Sequence, residues 1–207
     1  MIYYKDSIGL REVENNSVSL LMTHPPYLEE YKSNYQDFIK KFVVRWNEVL
    51  KDDSYLVIVT TDNILSKQLV KPVSKLNPKH IQIWEELVKN FILVDHKVWV
   101  RNDKKQFGFR KHFSNILIFK KGNPKFYQTE KYEKDIFYIP DNMRRKVNGI
   151  DFRDAYPIDL CDIFIMALTE PKDIVIDPFA GVGTTIKSSE RLNRVGIGYE
   201  IDERLKC

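Results

Sequence analysis

The chain has 207 residues, 43% of them hydrophobic and 13% aromatic, and a formal net charge of +4. That is enough apolar material for one substantial core but short of two, and the modest Gly and Pro content excludes a low-complexity or disordered chain. Cys161, Cys207 and four scattered histidines give neither a disulfide framework nor metal-ligand spacing, and there is no run of about eighteen apolar residues and no signal-like N-terminus, so the expectation is a cytoplasmic protein with no metal and no membrane partner.

In chain order, the apolar run Val18–Met22 reads as a strand that ends at Thr23-His24-Pro25-Pro26-Tyr27, because two consecutive prolines cannot continue a ladder. Between Tyr35 and Leu50, Phe38, Phe42, Trp46 and Val49 recur at the three- and four-residue spacing of an amphipathic helix. Tyr55–Val59 reads as a buried strand. A helix over Ile81–Lys89 and strands over Phe91–Val100 and Ser114–Phe119 follow, before a loop-rich stretch to about Asp154. The last third predicts a helix carrying Cys161, Phe164, Ile165 and Leu168, a strand Asp173–Asp177, a glycine loop, a helix to Leu192 and a strand Val195–Tyr199. Alternating strands and helices with continuous apolar strands predict an α/β fold, a mostly parallel sheet covered by helices on both faces, in a single domain over 1–207. Ligands of such sheets sit beyond the carboxyl ends of the strands, which picks out 23–27 and 177–185.

The loop Asp177-Pro178-Phe179-Ala180-Gly181-Val182-Gly183-Thr184-Thr185 joins a strand to a helix, and its Gly-x-Gly lets backbone approach a ligand closely. A dinucleotide fingerprint would place a third glycine where Ile186 stands, and Asp177 would repel a pyrophosphate. The same aspartate suits a ligand with an ammonium group and a sulfonium, so S-adenosyl-L-methionine is favoured over NAD. Glu200, at the end of the next strand, is placed to accept both hydroxyls of a ribose.

The proline loop suits a different task. An exocyclic amino nitrogen attacks poorly because its lone pair is delocalised into the base. Acceptors around its protons, one a side chain at position 24 and one the Pro25 carbonyl, pull it toward tetrahedral geometry. The aromatic that follows, Tyr27, stacks on a base flipped from the duplex. At position 24 a neutral imidazole can accept such a bond and an imidazolium cannot; Thr23 offers a hydroxyl nearby.

On these residues the chain resembles the permuted, beta-class DNA amino-methyltransferases that modify N4 of cytosine or N6 of adenine, in a Rossmann-like methyltransferase fold. His24-Pro25-Pro26-Tyr27 matches the family's catalytic motif, with His24 where Asp, Asn or Ser is usual. Asp177–Thr185 matches the cofactor motif, including Pro178, Phe179, Gly181, Gly183, Thr184 and Thr185, and Glu200 matches the ribose acid. The resemblance further implies that Asp6 contacts the cofactor's adenine and that Tyr156-Pro157 lines its methionine end, in the form commonest among enzymes acting on cytosine N4. It divides the chain into a catalytic half (1–100), a short target-recognition region (about 101–154) and a cofactor half (155–207). That middle region is basic. From Lys97 to Lys146 there are fourteen Lys or Arg against five Asp or Glu, a surplus of +9 that leaves −5 for the remainder. Arg110, Lys111, Lys120 and Lys121 are therefore expected on DNA phosphates. The implied partners are double-stranded DNA, a restriction endonuclease acting on the same site and a second copy of the chain. N6-adenine methylation, an RNA substrate, or a cofactor- and nucleic-acid-binding module without activity are the alternatives that these residues leave open.

Overall fold

A computed structural model describes residues 1–26, 34–64, 76–101, 113–140, 145–147, 150–152 and 156–206. The strands are β1 (Ile2–Tyr4), β2 (Val18–Thr23), β3 (Leu50–Thr60), β4 (Asn63–Ile64), β5 (Leu76–Asn77), β6 (Ile92–Val100), β7 (Phe113–Lys121), β8 (Ile136–Tyr138), β9 (Arg145–Val147), β10 (Ile150–Phe152), β11 (Ile174–Asp177) and β12 (Val195–Glu200). The helices are α1 (Tyr35–Val49), α2 (Lys79–Leu87), α3 (Ile158–Leu168) and α4 (Thr184–Arg191). Eight strands form one sheet in the order β1-β12-β11-β2-β3-β7-β6-β8. The first five of that order run parallel, and only β7 opposes the rest.

The central strands are apolar at successive positions because both faces are covered. Every residue of β2 is buried, and the pleat sends Leu21 to one face and Leu20 and Met22 to the other. On the first face Leu21, Leu56 and Ile58 meet the Phe38, Phe42 and Trp46 ridge of α1 together with Ile83 and Leu87 of α2. On the second, Leu20, Met22, Val57 and Val59 meet Leu160, Phe164 and Ile165 of α3. Asn34 caps α1 by accepting from the Asp37 N–H, and the chain passes from Val49 straight into β3.

The strands and helices predicted from periodicity stand where they were expected, within a few residues. The basic middle is more structured than its composition suggests. β8 extends the sheet alongside β6, and β9 and β10 form a separate antiparallel pair. Three-residue strands are too short to carry a readable alternation. Several of its charges and rings also belong to the core. Trp99 and Tyr132 are buried, and the Lys97 ammonium is buried against Asp95 at 2.9 Å, under the Tyr132 ring.

Where α4 crosses the sheet, β12 presents glycine. A Cβ at Gly198 would lie 2.8 Å from both Ala180 Cβ and Ile186 Cδ1, so the absence of a side chain sets the distance between α4, the glycine loop and the sheet. Gly198→Ala is therefore expected to lower unfolding stability by about 1–3 kcal/mol through overpacking. In denaturant titration, Val44→Ala on the exposed face of α1 serves as the comparison, with a change within about 0.5 kcal/mol. Equal effects of the two would contradict the close-approach role of Gly198.

Candidate active site

The chain leaves β11 through α4 to β12 on one side and leaves β2 through α1 to β3 on the other, so the strand order reverses between β11 and β2. Such a reversal opens a crevice at the carboxyl ends. The two strands end on Asp177 and Thr23, and the buried Thr23 hydroxyl donates to Asp177 Oδ1 at 2.6 Å. The two loops singled out from sequence therefore meet, and a hydrogen bond joins them at their roots.

Asp177 has further partners. Its Oδ1 accepts from the Phe179 N–H at 3.1 Å, while Oδ2 accepts from Thr185 Oγ1 at 2.7 Å and from the Tyr156 hydroxyl at 3.2 Å. The Tyr156 and Thr185 hydroxyls are themselves 2.5 Å apart. Burial pushes the Asp177 carboxyl above the usual carboxylate range, and the bonds from Thr23, Thr185, Phe179 and Tyr156 pull it back. Burial likewise pushes the Tyr156 phenol and the neighbouring Cys161 thiol well up, with the Asp177 charge adding to both. Four donors on one carboxylate make Asp177 the joint between the two loops, the start of α4 and the segment before α3.

Above this joint lies a cleft of about 560 Å³. One wall is the glycine loop from Asp177 to Val182, with Thr184. Gly183 adopts the left-handed conformation, φ 75°, as the cap of α4, which a residue with a Cβ rarely does. At the end of β12, Glu200 lines the cleft while its Oε2 accepts from the Gly181 N–H and its Oε1 from the Asp202 N–H, both at 2.8 Å. Each carboxylate oxygen retains capacity for a further hydrogen bond. Pairing of β1 with β12 sets Tyr4 opposite Glu200, which brings Asp6 into the same wall; Asp6 Oδ1 accepts from the Ile8 N–H at 3.1 Å. The other wall is His24, Pro25 and Pro26, with the His24 ring centred 6.2 Å from that of Tyr156.

Of the residues expected at the site, His24, Pro25, Pro26, Asp6, Tyr156, Asp177, Pro178, Phe179, Gly181, Thr184 and Glu200 line one cleft. Thr23 is a correction: it is fully buried beneath the loop and spends its hydroxyl on Asp177, so it holds the site without facing it. Thr185, Gly183 and Pro157 do not line the cleft: Thr185 donates to Asp177, Gly183 caps α4 and Pro157 caps α3. Tyr27, Arg110 and Lys111 lie outside the described residues. Lys120 and Lys121 are not brought to the site. They pair with Tyr55 and Ser54, five and six residues before Thr60 and so about 20 Å back along the strand from its carboxyl end. Lys121 Nζ donates to the carbonyls of Asn47 and Leu50, both at 2.9 Å, satisfying groups that the end of α1 leaves unpaired. Lys120 reaches Asn123.

Sequence reasoning missed the contribution of α1. Phe38, Lys41 and Phe42 line the cleft, and the Phe179 ring packs 5.6 Å from Phe38, 5.0 Å from Phe42 and 6.4 Å from Trp46. Their helical spacing signalled an apolar face; that its first turns reach beyond the strand ends is set by the sheet. Leu205, in a 3-10 turn over Glu203–Leu205, closes the far side.

A family model described as DNA methylase, of the N6/N4 methyltransferases, matches residues 18–206. Type II methyltransferase M.MjaI of Methanocaldococcus jannaschii is 25% identical, over 99% of this chain and 88% of its own length. M.MthZI of Methanothermobacter thermautotrophicus is 22% identical, over 99% of this chain and 74% of its own. In solved structures the fold is similar to that of the cytosine-N4-specific PvuII DNA methyltransferase, with TM-score 0.82, 22% identity and coverage of 99% and 83% of the two chains. It is also similar to M1.HpyAVI in complex with SAM, with TM-score 0.69, 20% identity and coverage of 99% and 94%. With the family's motif loops assembled around one cleft and the match running nearly end to end, the chain belongs to the DNA methylase family of amino-methyltransferases, whose members act on N4 of cytosine or N6 of adenine.

Proposed function

We propose that the chain transfers a methyl group from S-adenosyl-L-methionine to the exocyclic amino nitrogen of a base flipped out of duplex DNA, and that this base is cytosine, modified at N4. The observation that carries the proposal is the 2.6 Å bond from Thr23 to Asp177, which fixes the amino-binding loop beside the cofactor loop across a single cleft. The cleft suits the cofactor by charge and size. Glu200, Asp6 and the buried Asp177 give an acidic surround for a ligand with an ammonium and a sulfonium, and about 560 Å³ is within the range of small-molecule sites. Glu200 would hold the ribose hydroxyls and Asp6 the adenine side, both being in the wall of the cleft. With four donors already on its carboxylate, Asp177 acts on the methionine end through its field and through the loop it positions. When bound, S-adenosylmethionine supplies an electrophilic methyl group.

The opposite wall prepares the nucleophile. The Pro25 carbonyl and a neutral His24 imidazole accept the two amino protons, which draws the nitrogen lone pair out of the ring system. Attack leaves positive charge on that nitrogen, the same acceptors stabilise it, and loss of one amino proton to solvent gives the neutral methylated base. Cytosine N4 is preferred over adenine N6 on two grounds, the Tyr156-Pro157 segment and the absence of aspartate at position 24. DNA phosphate contact is assigned to Arg110 and Lys111 of the basic middle, since Lys121 is committed to the carbonyls at the end of α1.

Incubation of the protein with unmethylated duplex DNA and S-adenosylmethionine, followed by digestion and mass spectrometry of the nucleosides, is expected to yield N4-methylcytosine. N6-methyladenine instead would overturn the choice of base, and neither product, with cofactor binding confirmed, would overturn the transfer itself. The role of His24 gives a second test: His24→Phe, which keeps a ring and removes the acceptor, should lower the single-turnover transfer rate about tenfold or more with S-adenosylmethionine affinity within about twofold, and a rate within about twofold of wild type would contradict a His24 acceptor.

A further inference from the structure

The proline loop is held from a direction that neither motif accounts for. Tyr35, the first residue of α1, donates its hydroxyl to the Pro26 carbonyl at 2.7 Å. Its ring is 2% exposed and is fixed on several sides. The Tyr35 N–H donates to Gln82 Oε1 of α2 at 2.5 Å, the buried Lys79 ammonium lies 4.1 Å from the ring centroid, and Phe38 packs against it with centroids 5.2 Å apart. The hydroxyl therefore projects from a rigid mount built by two helices.

We infer that Tyr35 is a positioning residue for methyl transfer, which acts by clamping the Pro26 carbonyl and so fixing the acceptors of the proline loop. Rings lock φ at Pro25 and Pro26 near −65°, leaving the ψ angles as the soft coordinates of the loop. A bond to the Pro26 carbonyl fixes ψ at Pro26 from the side of α1, while the Thr23 bond to Asp177 fixes the loop at its root. Between these two anchors lie His24 and the Pro25 carbonyl. An acceptor displaced by a fraction of an ångström loses alignment with an amino proton, and the loss appears in the transfer step rather than in cofactor binding. Lys79 reinforces the clamp, because a cation over a phenol ring strengthens its hydroxyl as a donor.

This inference rests on the amino-methylation proposal, and Tyr35→Phe separates the two. The variant keeps the ring, its contact with Lys79 and its packing on Phe38, and removes only the donor. Expected are a single-turnover transfer rate on duplex DNA lowered about tenfold, a Kd for S-adenosylmethionine within about twofold of wild type, and a Tm within about 2 °C. Replacement of residue 35 by 4-aminophenylalanine, which restores a donor at the same place, should recover most of the rate. A Tyr35→Phe rate within twofold of wild type would overturn the clamp. So would a parallel fall in rate, cofactor affinity and Tm, which would mark Tyr35 as merely structural. If the wild-type protein transfers no methyl group to DNA, the amino-methylation proposal falls and the clamp falls with it.

Discussion

A single buried carboxylate holds this site together. Asp177 ends β11 at the point where the strand order reverses, and its two oxygens take donors from Thr23, Phe179, Thr185 and Tyr156. These donors come from β2, the glycine loop, α4 and the segment entering α3, which are distant in sequence and come together only there. Replacing the carboxylate by an apolar group would strand four polar partners in the interior, each at a cost of about 1–3 kcal/mol. The same group would be expensive to bury without them.

Burial has a consequence for stability. Because the folded state raises the Asp177 carboxyl above its ordinary value, the protonated form fits the interior better. Whatever this group contributes to folding is fully present below the unfolded carboxyl range and is lost as pH rises through the folded value. Ionisation of the group therefore works against folding. A buried acid retained at a cost in stability, at the floor of a cleft, is characteristic of functional sites. Here its field faces the end of the cleft assigned to a cationic cofactor, and its bonds set the spacing of the two loops. The apolar face of α1 supports the other side through the stack of Phe38, Phe42 and Trp46 under Phe179.

Much of this was legible in the sequence, for reasons that differ by region. Buried parallel strands announce themselves as apolar runs, and Val18–Met22 and Tyr55–Val59 could be placed without knowing their neighbours. Loops that follow such strands and carry Pro-Pro or Gly-x-Gly are local signals too, which is why most of the cleft could be named in advance. What could not be read is what each side chain faces. Thr23 is adjacent to His24 in sequence, yet the pleat turns it into the interior, onto Asp177. Lys120 and Lys121 belong to a basic stretch, yet the antiparallel course of β7 carries them to the far end of the sheet, where Lys121 caps α1. Tyr35 looked like one more aromatic of an amphipathic helix. Only the packing of α1 against α2 aims its hydroxyl at Pro26.

The coupling of the two loops through Asp177 can be measured directly by a double-mutant cycle of Thr23→Val and Asp177→Asn, read in single-turnover methyl transfer and in S-adenosylmethionine affinity. If the bond joins the sites, the two substitutions are strongly non-additive, with a coupling energy of about 1–3 kcal/mol, and Thr23→Val alone weakens cofactor binding although Thr23 does not line the cleft. Effects that add to within about 0.5 kcal/mol, with cofactor affinity untouched by Thr23→Val, would contradict the account.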